Sequence, residues 1–383
     1  MEKQKKVILI SCDSPRSLLD FRGKLMEALV LHHEVNIFTP LITQLPIRHR
    51  LNAMGIQIHE NSLQPSTVSI RSDLKYIADL FRLIRRLKPD VFFPYTFKPV
   101  IYGTLVARLC RVTNITPMLT GLGYNFSDHT ARITTLQRIT RLLLRMALRP
   151  GKNLQIIFQN KDDCEKLLQL NIISLKNKVH IVNGSGVDME HYSYSVPNLL
   201  RLNFLMMARL INAKGIREYY EAARVIKEKY PEVSFTLIGA YETNVDTIPE
   251  TLYQHIIADG IVDYVGLVDD VRTYIKDSSV VVLPSYYGEG IPRCLLEAMA
   301  IGRPIITCNS VGCKETVNRQ LKKANGFLVP VKDVDQLVAK MEYYIHHQTD
   351  ITRFGLNGRK YAQDKFDVNK INRLMVNVLT GRS

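Results

Sequence analysis

Short apolar segments recur along the chain, and most of them are followed by a stretch whose apolar residues repeat every three or four positions. Short runs rich in β-branched and aromatic residues predict strands, whereas the longer repeat predicts amphipathic helices. Alternation of the two is typical of βαβ units in a parallel sheet. The predicted strands are, in chain order, residues 7–10, 35–38, 91–94, 116–119, 155–158, 204–207, 233–238, 264–266, 280–283 and 304–307.

These strands fall into two sets, separated by a polar segment that starts at Asn183-Gly-Ser-Gly-Val-Asp188 and contains a proline. A length of 383 residues also suggests two domains, at roughly 100–200 residues each. We therefore predict an α/β protein with one domain over residues 1–182, a linker over 183–200 and a second domain over 201–365. Ligands of open parallel sheets bind beyond the carboxyl ends of the strands.

Neither a membrane span nor a disulfide framework is expected. No apolar run approaches the roughly 18 residues of a membrane-spanning helix. The chain starts with a basic segment, but the apolar run behind it, residues 7–10, is too short for a signal peptide and predicts a strand. The six cysteines form no Cys-x-x-Cys pair, which excludes a zinc ribbon and favours a reducing compartment. We expect a soluble or peripheral protein.

The net charge of +15 is unevenly distributed. Residues 1–200 carry 27 Lys and Arg against 15 Asp and Glu, a balance of +12, whereas residues 201–383 carry 24 against 21, a balance of +3. A basic half of this kind suits nucleic acid, an anionic membrane surface or a phosphorylated substrate. Composition alone does not choose among them.

Two carboxylates lie at a predicted strand-to-helix turn in the second half. The strand over residues 280–283 is followed by Pro-Ser-Tyr-Tyr-Gly-Glu-Gly-Ile-Pro-Arg-Cys-Leu-Leu-Glu. The predicted helix begins near Ile291 or Pro292, and a helix N-terminus is a ready site for a phosphate. Glu289 and Glu297, eight positions apart, can each bind hydroxyls on different parts of one elongated ligand. The alternative is a surface glutamate and an ordinary helix glutamate.

Two cations mark the end of another predicted strand. The strand over residues 204–207 leads to Arg209 and then to Lys214 and Gly215, where a helix is expected to start. Paired cations at the carboxyl end of a strand suit a diphosphate, because Arg binds bidentately and Lys acts as a compact charge. The alternative is a pair of solvated charges at a βα turn.

Together these segments resemble the family 4 glycosyltransferases, which are retaining nucleotide-sugar enzymes of the GT-B fold. The resemblance rests on Glu289 and Glu297 as an E-x7-E pattern, on Arg209 with Lys214-Gly215, and on residues 183–188 as an interdomain NG-x-D segment. The N-terminal half is similar to bacterial transferases that add an α-1,3-linked N-acetylgalactosamine, or a similar hexose, to polyprenyl-diphosphate-linked sugars. That similarity lies in Phe97-Lys-Pro-Val-Ile-Tyr-Gly, Thr120-Gly-Leu-Gly-Tyr124, Phe158-Gln-Asn160 and Phe21-Arg-Gly.

The resemblance implies an α/β fold of the GT-B type, with two Rossmann-like, doubly wound parallel-sheet domains facing a central cleft. Residues 1–182 would bind the acceptor and residues 201–365 the nucleotide sugar. A C-terminal helix within residues 366–383 would cross back to the N-terminal domain. The implied reaction is hexosyl transfer with retention from a UDP-sugar to a polyprenyl-diphosphate-linked saccharide, in bacterial surface polysaccharide or glycan biosynthesis. No cofactor and no metal are expected.

For the donor, the resemblance implies that Arg209 and Lys214 bind the diphosphate. It also implies that Glu297 accepts hydrogen bonds from the ribose hydroxyls and that Glu289 holds the transferred sugar. Fixed cations and a helix N-terminus would stabilise the negative charge that develops on the leaving diphosphate. We expect same-face attack assisted by the leaving phosphate, with Glu289 as a positioning residue. Contacts to the sugar, phosphate and base are expected from the backbone of Gly290, Ile291, Pro292, Arg293, Val265 and Gly266.

The acceptor side departs from the family pattern, because the stretch after the first strand lacks the glycine-rich loop that many members carry there. Gly121 and Gly123 are positions where the backbone can approach a ligand. Arg16 and Arg22 are candidates to meet an acceptor phosphate, or are plain surface charges. His129 is the candidate for the histidine that the family places near the transferred sugar, or is an ordinary loop histidine.

Residues 130–149 predict a basic amphipathic helix without an acidic residue. Such a helix suits an anionic leaflet, at about 1 kcal/mol per basic residue near the surface. Because the resemblance implies a lipid-linked acceptor, we predict a cytoplasmic protein held at the inner face of the cell membrane. Without that implication, the residues alone favour the alternative, a core-packed helix with a solvated arginine face. The residues of the predicted docking helix are Arg138, Arg141, Arg145 and Arg149, with Ile133, Leu136, Ile139, Leu143 and Met146 as apolar surface.

Two other functions stay open. A GT-B-like epimerase or hydrolase of UDP-sugars would need carboxylates and histidines from both domains. A nucleic-acid-binding protein would use the positive charge, but the sequence has no zinc motif, no RNP-like aromatic pattern and no Trp. We expect a UDP-sugar donor, a lipid-linked acceptor and an anionic membrane surface as partners, and no nucleic acid.

Overall fold

The computed structural model describes residues 5–64, 69–126, 135–242 and 246–381. The chain folds into two compact units, the first made of Met1–Ser185 and Asn369–Ser383 and the second of Gly186–Val368. The second unit is therefore one continuous piece of chain, and the first unit is completed by residues that follow it.

The first unit is built on parallel strands. These strands are β1 (Val7–Ser11), β2 (Glu34–Pro40), β3 (Gln57–Asn61), β4 (Val91–Pro94), β5 (Asn114–Ile115), β6 (Met118–Leu119), β7 (Gln155–Phe158) and β8 (Lys178–Ile181). One ladder has the order β3-β2-β1-β4-β5 and another the order β6-β7-β8. Parallel bridges from Tyr95 to Met118 and from Ile115 to Leu154 connect the two ladders. The connected ladders are the α/β architecture that the alternating pattern predicts.

Helices cover both faces of these strands, because each parallel crossover needs a connection that packs back on the sheet. Ile8 and Ile10 belong to one buried core and Leu9 to another, as the alternation of side chains along a strand requires. A π-helical turn over Pro99–Gly103 leads directly into the fourth helix. The helices are α1 (Pro15–Val30), α2 (Leu45–Ala53), α3 (Ile70–Leu87), α4 (Thr104–Leu109), α5 (Thr135–Ala147) and α6 (Lys161–Gln169).

The second unit has a six-stranded parallel sheet. Its strands are β9 (Asn203–Met207), β10 (Ser234–Ile238), β11 (Asp263–Gly266), β12 (Val280–Leu283), β13 (Ile305–Cys308) and β14 (Gly326–Val329). Their order is β11-β10-β9-β12-β13-β14, so the direction of progression reverses between β9 and β12. This order is that of a Rossmann fold, and ligands of such sheets bind at the reversal. The predicted architecture of two Rossmann-like parallel-sheet units is confirmed.

Six helices of the second unit pack around one large apolar core. They are α7 (Ile216–Lys229), α8 (Glu250–Ala258), α9 (Arg272–Asp277), α10 (Arg293–Ile301), α11 (Val334–His346) and α12 (Gln348–Lys365). All four residues of β12 are buried, which explains its purely aliphatic sequence Val-Val-Val-Leu. Among the helices in the described ranges, none is long and apolar enough to cross a bilayer.

Most of the predicted linker, residues 183–200, is part of the second unit. Val187 is bridged to Asp367, and the Arg359 guanidinium donates to the backbone carbonyl oxygen of Tyr192. The buried Arg303 donates to the carbonyl and hydroxyl oxygens of Ser195, each at 2.7 Å. Two arginines thus hold this segment in place as a structured part of the second unit.

The last helix, α13 (Val368–Thr380), belongs to the first unit over nearly all its length. It contributes Ile371, Met375 and Leu379 to the same core as Ile8 of β1. The Asn114 side-chain amide donates to the Leu379 carbonyl oxygen at 2.7 Å. The chain therefore returns to the first unit after it has completed the second.

We expect the substitution Met375→Ala to destabilise the first unit and spare the second. Met375 is fully buried, and truncation of such a side chain lowers the free energy of unfolding by about 2–5 kcal/mol. The measurement is amide hydrogen exchange of β1 compared with that of β9.

Leu374→Ala on the exposed side of the same helix is the matched control and should leave both exchange rates near those of the wild type. Equal acceleration in β1 and β9 caused by Met375→Ala would contradict the assignment of α13 to the first unit.

Candidate functional site

The loops that follow β9 and β12 meet where the strand order of the second unit reverses. Lys214 comes from the first loop and Glu289 from the second, and the Nζ and Oε1 atoms are 2.7 Å apart. Both side chains are largely buried, with 13% and 14% of their surface exposed. The reversal point of the sheet thus holds an ion pair between two residues that the sequence motifs single out.

The position of Lys214 depends on the turn that carries it. Asn212–Lys214 forms a single 3-10 turn, and Gly215 then adopts a φ of 80°. A Cβ atom on Gly215 would overlap the Pro284 carbonyl oxygen, so only glycine fits there. The Asp246 carboxylate accepts a hydrogen bond from the Ala213 backbone N–H at 2.9 Å and fixes the turn from the other side.

Glu289 is held by the loop in which it lies. The Ser285 hydroxyl donates to Glu289 Oε1 at 2.9 Å, and the Ser310 hydroxyl donates to the Ser285 carbonyl oxygen at 2.6 Å. Gly312 has a φ of 78°, and a Cβ atom there would overlap the backbone carbonyl oxygens of Glu289 and Gly290. Two neighbouring strands, β12 and β13, therefore supply the loops that fix this carboxylate.

The ion pair determines the charge state of the site. Burial lowers the pKa of Lys214, but the Glu289 carboxylate raises it by more, so the pKa lies above its ordinary value. Lys214 is thus a cation at neutral pH. Burial, and after it the Glu289 charge, raises the pKa of the Cys313 thiol to about 12 and that of Cys294 further. Both thiols are protonated at neutral pH, which makes a cysteine nucleophile unsuitable here.

Glu297 lies one turn inside α10 and is buried, with 8% of its surface exposed. Its Oε1 atom accepts one hydrogen bond from Arg293 Nε at 2.7 Å and one from the Tyr192 hydroxyl at 2.8 Å. Burial, followed by the Glu297 charge, raises the pKa of Tyr192, so the phenol stays a donor. Tyr192 was not predicted, because no spacing or motif in the sequence connects it to Glu297.

The remaining donor-side residues lie around this edge of the sheet. Arg209 follows β9 and is exposed, and its guanidinium has neither an ion pair nor a hydrogen bond to the described parts of the chain. Val265 and Gly266 end β11, and Gly266 has a φ of 82°. Gly290, Ile291 and Pro292 are buried, and α10 begins at Arg293, with Pro292 as its N-cap, rather than at Ile291 or Pro292. The structure therefore joins Lys214 to Glu289 and leaves the Arg209 side chain exposed to solvent.

The Asp188 side chain forms hydrogen bonds with the backbone of the residues that follow it. Its carboxylate Oδ1 accepts hydrogen bonds from the backbone N–H groups of Glu190 at 3.0 Å and His191 at 3.1 Å. These bonds stabilise the turn that precedes Tyr192. The NG-x-D segment thus positions the chain that approaches Glu297.

The predicted acceptor-side residues lie in the first unit. Arg16 is partly exposed and forms an ion pair with Asp20 at 3.4 Å. Arg22 is only 2% exposed, and its guanidinium lies 5.3 Å from the centre of the Tyr95 ring, so it is not a plain surface charge. Gly121 and Gly123 have φ angles of 123° and 55°, which favour glycine. His129 lies outside the described residues.

Helix α5 has apolar side chains on two sides. Leu144, Ala147 and Leu148 at its C-terminal end are buried in the first unit. On the opposite side, Arg138, Arg145 and Arg149 are exposed beside Ile139, Leu142 and Met146, which are 50%, 57% and 52% exposed. Arg141 differs from the other three arginines, because it is half-buried and lies 5.4 Å from the Phe126 ring centre. The outward side of this helix is therefore both apolar and basic.

The described ranges contain no group of three or more His, Cys, Asp or Glu side chains arranged to hold a metal ion. The polar groups at this edge of the second sheet are instead one lysine, two arginines, two carboxylates and hydroxyls. This set suits an anionic, hydroxyl-bearing ligand.

Each half of the chain matches a glycosyltransferase family model. Residues 199–361 match the model described as Glycosyl transferases group 1. Residues 20–160 match the model described as Glycosyl transferase 4-like. The first match includes Arg209, Lys214, Glu289 and Glu297.

Relatives of known description extend over most of the chain. The chain is 24% identical over 346 residues to the N,N'-diacetylbacillosaminyl-diphospho-undecaprenol alpha-1,3-N-acetylgalactosaminyltransferase of Campylobacter jejuni, across 87% of each protein. It is 25% identical over 295 residues to the UDP-Gal:alpha-D-GlcNAc-diphosphoundecaprenol alpha-1,3-galactosyltransferase of Escherichia coli, across 71% of this chain and 70% of that protein.

The fold also has solved counterparts. The crystal structure of Anabaena HepE in complex with UDP aligns with a TM-score of 0.75 at 18% identity, across 99% of this chain and 100% of that chain. At this identity the likeness concerns the fold. The two family matches, the relatives and the pair of Rossmann-like units together show that the chain belongs to the GT-B glycosyltransferases, among the group 1 and family 4-like enzymes.

Proposed function

We propose that this enzyme moves a hexose, N-acetylgalactosamine or a similar sugar, from a UDP-sugar to a polyprenyl-diphosphate-linked saccharide, with retention of configuration. The observation that carries the proposal is the Lys214–Glu289 ion pair at the strand-order reversal of the second unit. The C. jejuni and E. coli relatives are both named for α-1,3 transfer to undecaprenol-diphosphate-linked sugars, which supports this acceptor class and a place in bacterial surface polysaccharide biosynthesis.

The ion pair is the resting state of a site for a diphosphate. When the donor binds, Lys214 exchanges its contact with Glu289 for one with a phosphate oxygen, and the exposed Arg209 adds a second cation. Departure of UDP concentrates negative charge on the diphosphate, and preformed cations stabilise that charge more than they stabilise the intact donor. Glu289, released from Lys214, accepts hydrogen bonds from the sugar hydroxyls. The acceptor hydroxyl then attacks on the face that UDP leaves, assisted by the leaving phosphate.

Two further groups would position the nucleoside. Glu297 accepts hydrogen bonds from the ribose hydroxyls, and Val265 and Gly266 present backbone groups to the base. The N-terminus of α10, which follows Gly290–Pro292, adds a favourable dipole for the phosphates. We propose that no metal and no cofactor take part, because Lys214 and Arg209 would neutralise the diphosphate in place of a metal.

The acceptor would bind the first unit, where Arg16, Arg22, Gly121, Gly123 and His129 stay candidates. Its undecaprenyl-type chain requires that the enzyme work at a membrane surface. We propose that α5 docks on an anionic leaflet through Ile139, Leu142 and Met146, with the neighbouring arginines contacting lipid phosphates.

Exposed apolar side chains continue beyond α5. α4 packs against both α3 and α5, so these three helices adjoin. Leu109 of α4 is 73% exposed, and Ile70 and Leu74 of α3 are 72% and 61% exposed, each followed by an exposed basic residue, Arg71 or Lys75. Exposed apolar and basic side chains on more than one helix of this unit support an interfacial location at the inner side of the cell membrane.

We expect Lys214→Ala and Arg209→Ala each to lower kcat/KM by at least about tenfold, because each removes a cation from the developing diphosphate charge. Transfer would be measured with a panel of UDP- and GDP-sugars against a polyprenyl-diphosphate-sugar acceptor.

Arg224→Ala, an exposed arginine on α7, is the control and should retain wild-type kinetics. Near-wild-type kcat/KM in both the Lys214 and the Arg209 variants would refute the donor assignment.

We expect the double change Arg138→Glu and Arg145→Glu to release the protein from vesicles that contain anionic lipid. Both side chains are exposed on α5, so the change reverses charge at the proposed interface without altering a buried contact. Cosedimentation with the vesicles measures the effect.

Lys322→Glu with Lys323→Glu changes the net charge equally at exposed positions of the second unit and should leave vesicle binding intact. Equal release by the two double variants would show that only net charge matters and would count against α5 as the docking element.

The donor panel and a thermal-shift measurement distinguish the proposed transferase from the two other functions. Without acceptor, the proposed transferase should release little free sugar, whereas an epimerase or hydrolase would convert the donor alone. A thermal shift with UDP and none with oligonucleotides is expected, and salt-sensitive DNA binding without a UDP effect would favour a nucleic-acid-binding protein.

A further inference from the structure

We propose that Tyr192 is a positioning residue that holds the Glu297 carboxylate in the orientation required to bind the ribose hydroxyls. The inference deepens the proposed function and rests on it. Its basis is the 2.8 Å hydrogen bond from the Tyr192 hydroxyl to Glu297 Oε1, which joins residues 105 positions apart. Neither the family patterns in the sequence nor the spacing of the carboxylates marks this tyrosine.

The bond restricts the carboxylate in a way that Arg293 alone does not. Arg293 lies one turn before Glu297 on α10 and donates to Oε1 from the same helix. The Tyr192 hydroxyl donates to the same oxygen from a different element, the segment over residues 186–198. Two donors that converge on one oxygen from different elements fix the side-chain torsions of Glu297, whereas a partner on the same helix leaves them freer.

Tyr192 itself is rigidly placed. The ring is buried, and the His191 ring meets it edge-on at 4.9 Å between centres. Arg359 holds the Tyr192 carbonyl oxygen, and three residues further along Arg303 holds Ser195. Because the ring and the backbone of Tyr192 are both fixed, its hydroxyl stays within hydrogen-bond distance of Glu297. Tyr192 therefore loses no further side-chain entropy when a ligand binds.

Preorganisation of this kind acts on ligand affinity. A carboxylate binds vicinal hydroxyls in one rotamer. If the free protein also populates other rotamers of that side chain, the affinity for the ligand is lower. Tyr192→Phe keeps the ring and removes only the hydroxyl. Since one such hydrogen bond is worth roughly threefold to tenfold in an equilibrium constant, the Kd for UDP should rise by about that factor.

The experiment measures binding of UDP and of 2′,3′-dideoxy-UDP, which lacks the two ribose hydroxyls, by calorimetry. The wild-type protein should bind UDP more tightly than it binds 2′,3′-dideoxy-UDP. Tyr192→Phe should weaken UDP by about threefold to tenfold and leave dideoxy-UDP nearly unchanged, so the ratio of the two affinities falls. In a Glu297→Gln background the same tyrosine change should have little additional effect on the ratio.

Tyr194→Phe is the matched control, because Tyr194 lies on the same segment and packs its ring near Gly302 and Arg359. It should leave the affinity ratio unchanged. The thermal midpoint of each variant reports whether the fold is intact.

The possible results separate the two hypotheses. If wild-type protein binds UDP with a hydroxyl-dependent affinity and Tyr192→Phe preserves the wild-type ratio, the positioning role is overturned and the proposed function stands. An equal loss of affinity for UDP and for dideoxy-UDP would mean that Tyr192 only supports the fold. That result would also overturn the positioning role. If the wild type binds no UDP, the proposed function fails and this inference fails with it.

Discussion

The second unit depends on the pairing of β9 with β12, which brings two loops from distant parts of the sequence to one edge of the sheet. Because of that pairing, Lys214 and Glu289 form a largely buried ion pair. Either charge alone would be unfavourable at this burial, so each residue requires the other whenever no ligand is present. Gly215 and Gly312 allow the backbones to approach closely enough for the pair to form. The two side chains thus neutralise each other in the absence of a ligand.

Much of the fold is predictable because the central strands are short aliphatic runs. All ten predicted strands are present within two residues of their expected bounds, and the two-unit architecture follows from their alternation with helices. The strands that the sequence pattern does not predict, β3, β5, β8 and β14, each end a ladder. β3 reads Gln-Ile-His-Glu-Asn and β8 reads Lys-Val-His-Ile, so the polar residues that an edge strand tolerates hide the apolar signal.

Some residues of the candidate site are likewise predictable from the sequence and others are not. Lys214, Glu289 and Glu297 are marked by motif spacing, because local turns and one helix carry them. No motif marks Tyr192, because its contact with Glu297 depends on how Arg303 and Arg359 fix the polar segment that contains it. The helical pattern of α5 was also predicted, but apolar residues around most of its circumference do not reveal which of them face inward. Likewise, composition suggests a linker where Arg303 and Arg359 in fact anchor a structured segment.

The position of α13 has a consequence for the order in which the protein can fold. During synthesis all residues of the second unit, Gly186–Val368, are added to the chain before the rest of α13. The first unit begins earlier but lacks Met375 and Leu379 of its core until the final helix has emerged. The N-terminal part of the protein is therefore the last to reach its native state, and its partly covered core is the surface that needs protection from aggregation while translation proceeds.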